Sequence, residues 1–183
     1  MKQFKWQYPI GSISSGTMRP EDLIPAFVSE LERRLKNGPP VSRETRKAHT
    51  ALMRDINTAM ESEETPYFTS EDLDFDLDTL FDALNCYAAP YFYFGAHPGD
   101  GSDYGYWLQE DWQDGFVAPS GIQRWTATSR TTFVNDTDYK IVVADLSEVP
   151  AWFRGEVAVV NDHGNVTLYV KTSRTLREVW SIV

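Results

Sequence analysis

The sequence predicts an α+β fold in which N-terminal helices pack on a mostly antiparallel C-terminal β-sheet. In the first half, apolar residues recur at intervals of three and four, which is the period of a helix with one buried face. After Pro90 the apolar residues are mostly aromatic or β-branched and stand in short runs between turn-forming residues. The length suits a single domain over residues 1–183, with a helical part over about 18–88 and a β part over about 90–183.

The first helix is predicted within the segment RPEDLIPAFVSELERRLKNG, residues 19–38. Four apolar residues recur at every fourth position and form one stripe: Leu23, Phe27, Leu31 and Leu35. The proline suits the first turn, the two acids after it suit the positive end of the helix dipole, and the glycine stops the last turn. A helix with one buried face is therefore expected here.

Two further helices are predicted, from Ser42 to Glu61 and from about Ser70 to Tyr87. In the later segment, TSEDLDFDLDTLFDALNCYA, aspartates alternate with apolar residues as they would in a half-exposed strand. Leucines at helical spacing over a longer window, and the poor strand propensity of aspartate, favour the helix. Asp74, Asp78 and Asp82 then form one acidic stripe, whose mutual repulsion must be offset by packing elsewhere on the helix.

The β part is predicted from short apolar runs. The candidate strands before residue 145 are Tyr91–Phe94, Tyr104–Leu108, Thr126–Phe133 and Tyr139–Ala144. Farther along, EVAVV and VTLYV are joined by NDHGN, whose Asn, Asp and Gly are typical of a hairpin turn. With the closing REVWSIV, these runs predict an antiparallel meander at the end of the chain.

The charges are distributed unevenly along the chain, whose formal net charge is −10. Residues 1–54 contain ten Lys or Arg and five Asp or Glu, whereas residues 55–123 contain fifteen Asp or Glu and no Lys or Arg. Carboxylates of this block that share a surface produce a negative potential, which repels nucleic acid and attracts a basic protein. The alternative is a solvated acidic surface that serves solubility.

The segment YFYFGAHPGDGSDYGYW, residues 91–107, concentrates glycines, aromatic residues and titratable groups. A glycine-rich turn between two aromatic strands is the favoured interpretation, because glycines supply the backbone conformations that such turns need. A recognition loop is the second interpretation. In the third, His97, Asp100 and Asp103 supply a base with an orienting carboxylate, or three ligands of a divalent metal.

Signatures of common enzyme classes are missing from the sequence. GSISSG, residues 11–16, lacks the lysine of a phosphate-binding loop, and neither G-x-S-x-G nor H-E-x-x-H occurs. Cys86 is the only cysteine, so neither an internal disulfide nor a thiolate zinc cluster is predicted, and His49 and His163 are interpreted as structural. No catalytic residue, cofactor or metal is therefore assigned. No stretch is apolar enough for a signal peptide or a membrane span, which predicts a cytoplasmic protein with no membrane association.

Two tryptophans stand among acids just after the glycine-rich segment. Trp107 and Trp112 flank or adjoin Glu110, Asp111 and Asp114. Exposed aromatic residues framed by acids are typical of a surface that binds a basic protein. Two buried tryptophans in a tethered loop are the alternative, and the sequence favours neither.

The segments YFGAHPGDGSDYGYW and NDHGNVTLYV…REVWSIV resemble small proteins of no assigned role that tailed bacteriophages and prophages carry. The resemblance covers about the last half of the chain and brings no catalytic residues with it. It implies a protein that binds a macromolecule of the host or of the phage, in the cytoplasm of the host.

Two functional hypotheses follow. The first is an acidic, non-enzymatic interaction protein that inhibits a basic nucleic-acid-binding host protein by imitating nucleic acid charge, without itself binding nucleic acid. Its binding residues are Asp72, Asp74, Asp76, Asp78, Asp82, Trp107, Glu110, Asp111, Trp112 and Asp114. The second is a small hydrolase-like enzyme, with or without a divalent metal, that uses the loop of His97, Asp100 and Asp103. The first hypothesis is favoured.

Overall fold

The fold is known from a computed structural model, which describes residues 7–62, 67–69, 73–121 and 140–183. The chain divides into two compact units, Met1–Trp112 and Gln113–Val183. Three helices and two sheets of mostly antiparallel strands confirm the predicted α+β class, and the helices precede all of the strands except the first. Within the described ranges, no helix combines the length and the apolarity that crossing a bilayer requires.

The first unit contains three α-helices and one three-stranded sheet. Its elements are β1 (Gly11–Ser14), α1 (Pro20–Asn37), α2 (Arg43–Met60), α3 (Leu73–Asn85), β2 (Phe92–His97) and β3 (Asp100–Leu108), with one turn of 3₁₀-helix at Tyr67–Thr69. The strand order is β1-β3-β2, and both pairings are antiparallel. The three helices and the β2–β3 hairpin were predicted, whereas β1 was not, since GSIS has no alternating apolar pattern.

The helix ends follow the capping rules in part, since Arg19 makes no side-chain hydrogen bond at the N-cap of α1 and Gly38 is extended (φ −77°) and not left-handed. α1 starts with a proline and carries Glu21 and Asp22 in its first turn, where acids favour the helix dipole. It ends before Gly38, where a Cβ would lie 2.6 Å from the carbonyl oxygen of Arg34. α2 starts after Ser42, whose hydroxyl oxygen accepts the backbone N–H of Thr45 at 3.0 Å. Local sequence therefore sets these boundaries.

The core of the first unit is built around Phe27 of α1, which is fully buried. Its ring makes edge-to-face contacts with Phe81 of α3 at 5.1 Å and with Phe94 of β2 at 5.0 Å between ring centroids. Tyr104 of β3 completes the group, at 5.9 Å from Phe27 and 5.7 Å from Phe81. Edge-to-face packing adds about 0.5–1.5 kcal/mol per pair to the burial of each ring. This aromatic cluster joins two helices to two strands.

β1 can pair with β3 only because residue 105 is glycine. Ser12 lies opposite Gly105 in the ladder, and a Cβ at Gly105 would lie 2.2 Å from the carbonyl oxygen of Gly11. Gly11 itself has a φ of 92°, which few residues other than glycine adopt. The close approach of two backbones therefore explains these two glycines. Gly99 and Gly101, which were expected to supply positive φ in the hairpin turn, do not adopt it.

The second unit contains a four-stranded sheet. Its strands are β4 (Lys140–Val143), β5 (Gly155–Val160), β6 (Val166–Lys171) and β7 (Leu176–Ile182), in that order across the sheet. β4 pairs with β5 in parallel, and the other pairings are antiparallel, as the predicted meander requires. A core cluster is formed by Ile141, Val143, Phe153 and Val157. The predicted strand Thr126–Phe133 lies outside the described residues.

The aromatic cluster can be tested with Phe27→Ala. We expect this substitution to lower the free energy of unfolding by about 3–5 kcal/mol, because it leaves a cavity between α1, α3 and the sheet. The measurement is urea unfolding followed by circular dichroism. Phe75→Ala is the matched control: this ring is 72% exposed, and its removal should change stability by less than about 0.5 kcal/mol. Equal effects of the two substitutions would contradict the assignment of the core.

Gly105→Ala tests the close approach of β1 and β3. The added methyl group would collide with backbone atoms of Gly11 and Ser12, which cannot rotate away, so we expect a loss of about 1–3 kcal/mol or more. Hydrogen exchange should show faster exchange in β1 than in β2. Gly101→Ala is the control, because a Cβ there meets nothing within 4 Å. Unchanged protection of β1 in Gly105→Ala would refute this account.

Candidate functional site

α3 separates its apolar residues from its acids. Leu80, Ala83 and Leu84 are buried, whereas the carboxylates of Asp74, Asp78 and Asp82 are exposed. Successive helical residues are rotated by about 100° and rise by about 1.5 Å. Each of these three aspartates is therefore rotated by about 40° from the one before it and lies about 6 Å farther along the helix axis. The predicted acidic stripe therefore lies on the outer face of the helix.

Phe75 lies on the same outer face and was not among the predicted site residues. It is 72% exposed, the highest exposure of any large internal apolar side chain among the described residues. Helical geometry places it about 100° around the axis from Asp74 and about 20° from Asp82, with Asp78 one turn away. The face of Asp74, Phe75, Asp78 and Asp82 is called the α3 face below. The sequence contained an indication that Phe75 lies on this face, because Phe75 does not follow the spacing of the leucines on the buried side of the helix.

Asp76 does not belong to the α3 face. It is partly buried, and one of its carboxylate oxygens accepts a hydrogen bond at 2.8 Å from the hydroxyl of Tyr67, which is itself buried. This contact attaches the 3₁₀ turn to the start of α3, so the role of Asp76 is structural. Asp72, which was predicted with it, lies outside the described residues.

The aspartates of the α3 face have no cationic partner in the described part of the chain. The ion pairs found there join other residues, such as Lys36 with Glu32 and Arg54 with Asp55. The sequence explains this, because residues 55–123 contain no Lys or Arg. Within the described ranges, the carboxylates of Asp74, Asp78 and Asp82 are therefore exposed and have no ion-pair partner.

The structure does not place the two tryptophans on an exposed acidic surface. Trp112 is 6% exposed. Trp107 is half-buried: its indole nitrogen donates to the carbonyl oxygen of Gly95 at 3.0 Å, and its ring packs edge-to-face against His97 at 4.6 Å. Burial of Trp112 corrects its assignment as a surface contact and agrees with the alternative of buried tryptophans, whereas Trp107 is half-buried and lies in β3.

The acids near these tryptophans are exposed but belong to different units. Glu110 and Asp111 lie at the end of the first unit, and Asp114 lies at the beginning of the second. Each is a solvated carboxylate after β3. Without an exposed tryptophan between them, they do not reproduce the predicted combination of aromatic and acidic groups.

The loop of His97, Asp100 and Asp103 uses its polar atoms in local hydrogen bonds. His97 Nδ1 accepts the backbone N–H of Gly99 at 3.0 Å. Asp100 accepts both the N–H and the hydroxyl of Ser102, and these hydrogen bonds lower the pKa of its carboxyl group. Asp103 accepts the hydroxyl of Ser12 on β1. Each of these hydrogen bonds joins one of the three side chains to a different residue: two lie in the β2–β3 turn, and the third joins β3 to β1.

In the described ranges, no group of three or more His, Cys, Asp or Glu side chains is arranged to hold a metal ion. The hairpin interpretation of residues 91–107 agrees with this arrangement, since β2 and β3 pair from Phe92↔Leu108 to His97↔Asp100.

Inside the first unit, a buried ion pair was missed by the sequence reasoning. Arg34 Nε lies 3.0 Å from Glu30 Oε1, with side-chain exposures of 8% and 2%, and Arg33 donates to the other carboxylate oxygen at 2.7 Å. Burial, and to a smaller extent the Glu30 carboxylate, raises the pKa of Tyr106 far above its ordinary value. Its hydroxyl remains protonated and donates to the Leu84 carbonyl at 3.4 Å. The spacing of Glu30 and Arg34 by four residues was the available signal.

His49 is a structural residue, as predicted. It is 8% exposed, and its Nδ1 shares a hydrogen bond of 3.1 Å with the hydroxyl of Tyr87, which links α2 to the end of α3. Burial lowers the pKa of His49 from its ordinary value of 6.5 and raises that of Tyr87 from 10.0. Both groups are therefore neutral near pH 7.

The depressed pKa of His49 predicts a pH dependence of stability. Below pH 6.5 the unfolded chain takes up a proton that the folded chain binds less readily, so the free energy of unfolding should fall as the pH decreases from 7.5 to 5.5. We expect His49→Gln to reduce this dependence, measured by urea unfolding across that range. His163→Gln, in an exposed turn, is the control. A dependence that is identical in His49→Gln and the wild type would contradict the prediction.

Comparison with models of known protein families, with characterised proteins and with solved structures finds no match to this chain. The α3 face points outward, and no ion pair among the described residues uses its carboxylates.

Proposed function

We propose that this chain is a non-enzymatic interaction protein that binds a basic protein through the α3 face. The observation that carries the proposal is the exposed ring of Phe75 beside the carboxylates of Asp74, Asp78 and Asp82, which have no cationic partner in the described ranges. Hydration of an exposed aromatic ring is unfavourable, and covering the ring with a partner therefore stabilises the complex. The carboxylates supply attraction and orientation for a positively charged surface.

Electrostatics determine how such a surface works. Exposed charge pairs contribute about 0.2–1 kcal/mol each and are screened over about 10 Å at 0.1 M salt. The three carboxylates therefore increase the association rate and select the sign of the partner, whereas Phe75 supplies contact area that salt does not screen. This combination predicts binding that weakens with salt but keeps a salt-resistant part.

The spacing of the carboxylates bears on imitation of nucleic acid. On α3, one carboxylate occurs about every 6 Å along the axis, whereas one strand of DNA carries a charge about every 3.4 Å. The α3 face therefore has about half the linear charge density of one strand, enough for two or three cationic side chains of a nucleic-acid-binding protein. The further proposal, supported by the resemblance to bacteriophage proteins, is that the chain inhibits such a protein in the host cytoplasm.

The hydrolase-like alternative has no comparable support. Its three groups are used in separate hydrogen bonds with Gly99, Ser102 and Ser12. A general base is oriented by a carboxylate that accepts its hydrogen bond, and no such bond between His97 and either aspartate is found among the described residues.

The test combines capture from a bacterial lysate at low and high salt with substitutions on the α3 face. We expect the wild-type chain to retain a basic nucleic-acid-binding protein at low salt, and double-stranded DNA to compete with the chain for it. Joint Asp74→Asn, Asp78→Asn and Asp82→Asn should weaken binding of the purified partner about tenfold or more, because three charge pairs are lost. Phe75→Ala should weaken binding at every salt concentration.

The matched control carries the same change in net charge elsewhere: Glu61→Gln, Asp162→Asn and Glu178→Gln, all exposed in the wild type. This variant should bind like the wild type. If the control and the α3 variant lose affinity equally, net charge and not the α3 face explains binding. Affinity that is unchanged in the α3 variant would refute the proposal.

A further inference from the structure

The inference concerns two cationic side chains of the second unit, Arg154 and Lys171. Arg154 directly precedes β5, and Lys171 is the last residue of β6, opposite Gly155 in the ladder. Arg154 Nη1 donates to the carbonyl oxygens of Ala151 and Phe153, at 2.9 Å and 2.5 Å. Lys171 Nζ donates to the same two carbonyl oxygens, at 3.0 Å each. The turn before β5 therefore holds both cations at one place.

The two positive charges lie close together without a negative charge between them. The carbonyl oxygen of Phe153 is bonded to both, so Arg154 Nη1 and Lys171 Nζ are no farther apart than the sum of those two bond distances. Burial, and to a smaller extent the charge of Arg154, lowers the pKa of the Lys171 ammonium. The ion pairs found among the described residues include neither side chain. An anion placed against both cations would add attraction where the chain supplies only carbonyl dipoles.

Both side chains keep donors for such an anion. An ammonium group has a further N–H beyond the two that the carbonyl oxygens of Ala151 and Phe153 accept from Lys171. The bonds of Arg154 use Nη1, so its Nε and Nη2 groups make no hydrogen bond among the described residues. Both residues are partly exposed, so a ligand can reach them from solvent. Because the turn already orders both side chains, binding loses less conformational entropy than it would at two unrestrained cations.

A third cation and an exposed indole lie in the adjoining segments. Arg174 lies in the turn between β6 and β7, which begins directly after Lys171 and is closed by hydrogen bonds between Thr172 and Thr175. Its side chain is exposed and forms no ion pair in the described ranges. Trp152 stands between the two residues whose carbonyl oxygens hold the cations, and it is 38% exposed. The surroundings therefore add positive charge and an aromatic surface to the pair.

We propose that Arg154 and Lys171 form a binding site for the phosphate group of a small ligand. A guanidinium group bonds phosphate oxygens in pairs, and an ammonium group adds a point charge. Charge selects phosphate over carboxylate, because a phosphate monoester carries about −1.5 to −2 at pH 7 and so compensates both cations. A phosphodiester of nucleic acid carries a single charge, so the site favours a monoester over a nucleic acid backbone.

The first experiment is a titration of the ¹⁵N-labelled full chain with inorganic phosphate at constant ionic strength, followed by NMR. We expect saturable shifts of the Arg154 Nε–H signal and of the Lys171 backbone amide, with a Kd of about 1–10 mM. Arg154→Gln and Lys171→Gln should each weaken binding about tenfold, because each removes one of the two charges. Lys47→Gln, which neutralises an exposed cation on α2, is the matched control and should bind like the wild type. Shifts that do not saturate, or equal affinity in all three variants, overturn the proposal.

A comparison of ligands uses the wild-type chain and so does not depend on how well the variants fold. Methyl phosphate, a monoester, should bind about tenfold more tightly than dimethyl phosphate, whose single charge compensates only one cation. If the two bind equally, the paired cations do not act as a phosphate site.

A second pair of ligands distinguishes the sources of the phosphate group. Adenosine monophosphate should bind more tightly than inorganic phosphate if the natural ligand is a nucleotide, because its base can stack on the Trp152 ring. Trp152→Ala should then remove that difference. Equal affinity of the two ligands identifies free phosphate as the ligand class. These outcomes are independent of binding through the α3 face, which belongs to the first unit.

Discussion

The structure of the first unit depends on the aromatic cluster around Phe27. One ring of α1 contacts Phe81 on α3 and Phe94 on β2, and Tyr104 on β3 closes the group. Each buried ring contributes about 1.5–3 kcal/mol, whereas each pair of like charges along the α3 face costs only a few tenths of a kcal/mol. Packing on the inner side of α3 therefore outweighs repulsion on its outer side by a wide margin, and the helix can carry three aspartates without neutralising them.

The β2–β3 hairpin and the edge strand β1 are held in the first sheet by different interactions. At β2 and β3, the residues that looked most like chemistry are used to build a hairpin: His97 packs on Trp107, and Asp100 accepts hydrogen bonds from Ser102. At β1, the absence of a side chain on Gly105 lets an uncharged strand reach the sheet. Residues 11–14, which lie in the segment compared with a phosphate-binding loop, thus form an edge strand. The segment of residues 91–107, which contains the candidate active-site residues, forms a hairpin.

The candidate site was predictable in part. The spacing of Asp74, Asp78 and Asp82 placed them on one face once a helix was chosen over a strand, and the structure has that helix at Leu73–Asn85. Phe75 was visible in the sequence but looked like one more apolar residue of an alternating pattern. Trp112 could not be assigned, because flanking acids do not tell whether an indole is exposed, and it is buried.

The sequence by itself determined the local structure: the helical period of residues 20–37, the hairpin turn between β5 and β6, and the cation-free block that makes α3 acidic. These depend on side chains a few residues apart, so a short window contains the whole cause. Only the tertiary structure decided that β1 joins β3, that Glu30 and Arg34 form a buried ion pair, and which aromatic rings reach solvent. Those outcomes depend on contacts between segments tens of residues apart or on burial by the assembled fold. Local spacing indicates which residues can meet on one helix, but it does not determine whether they are buried.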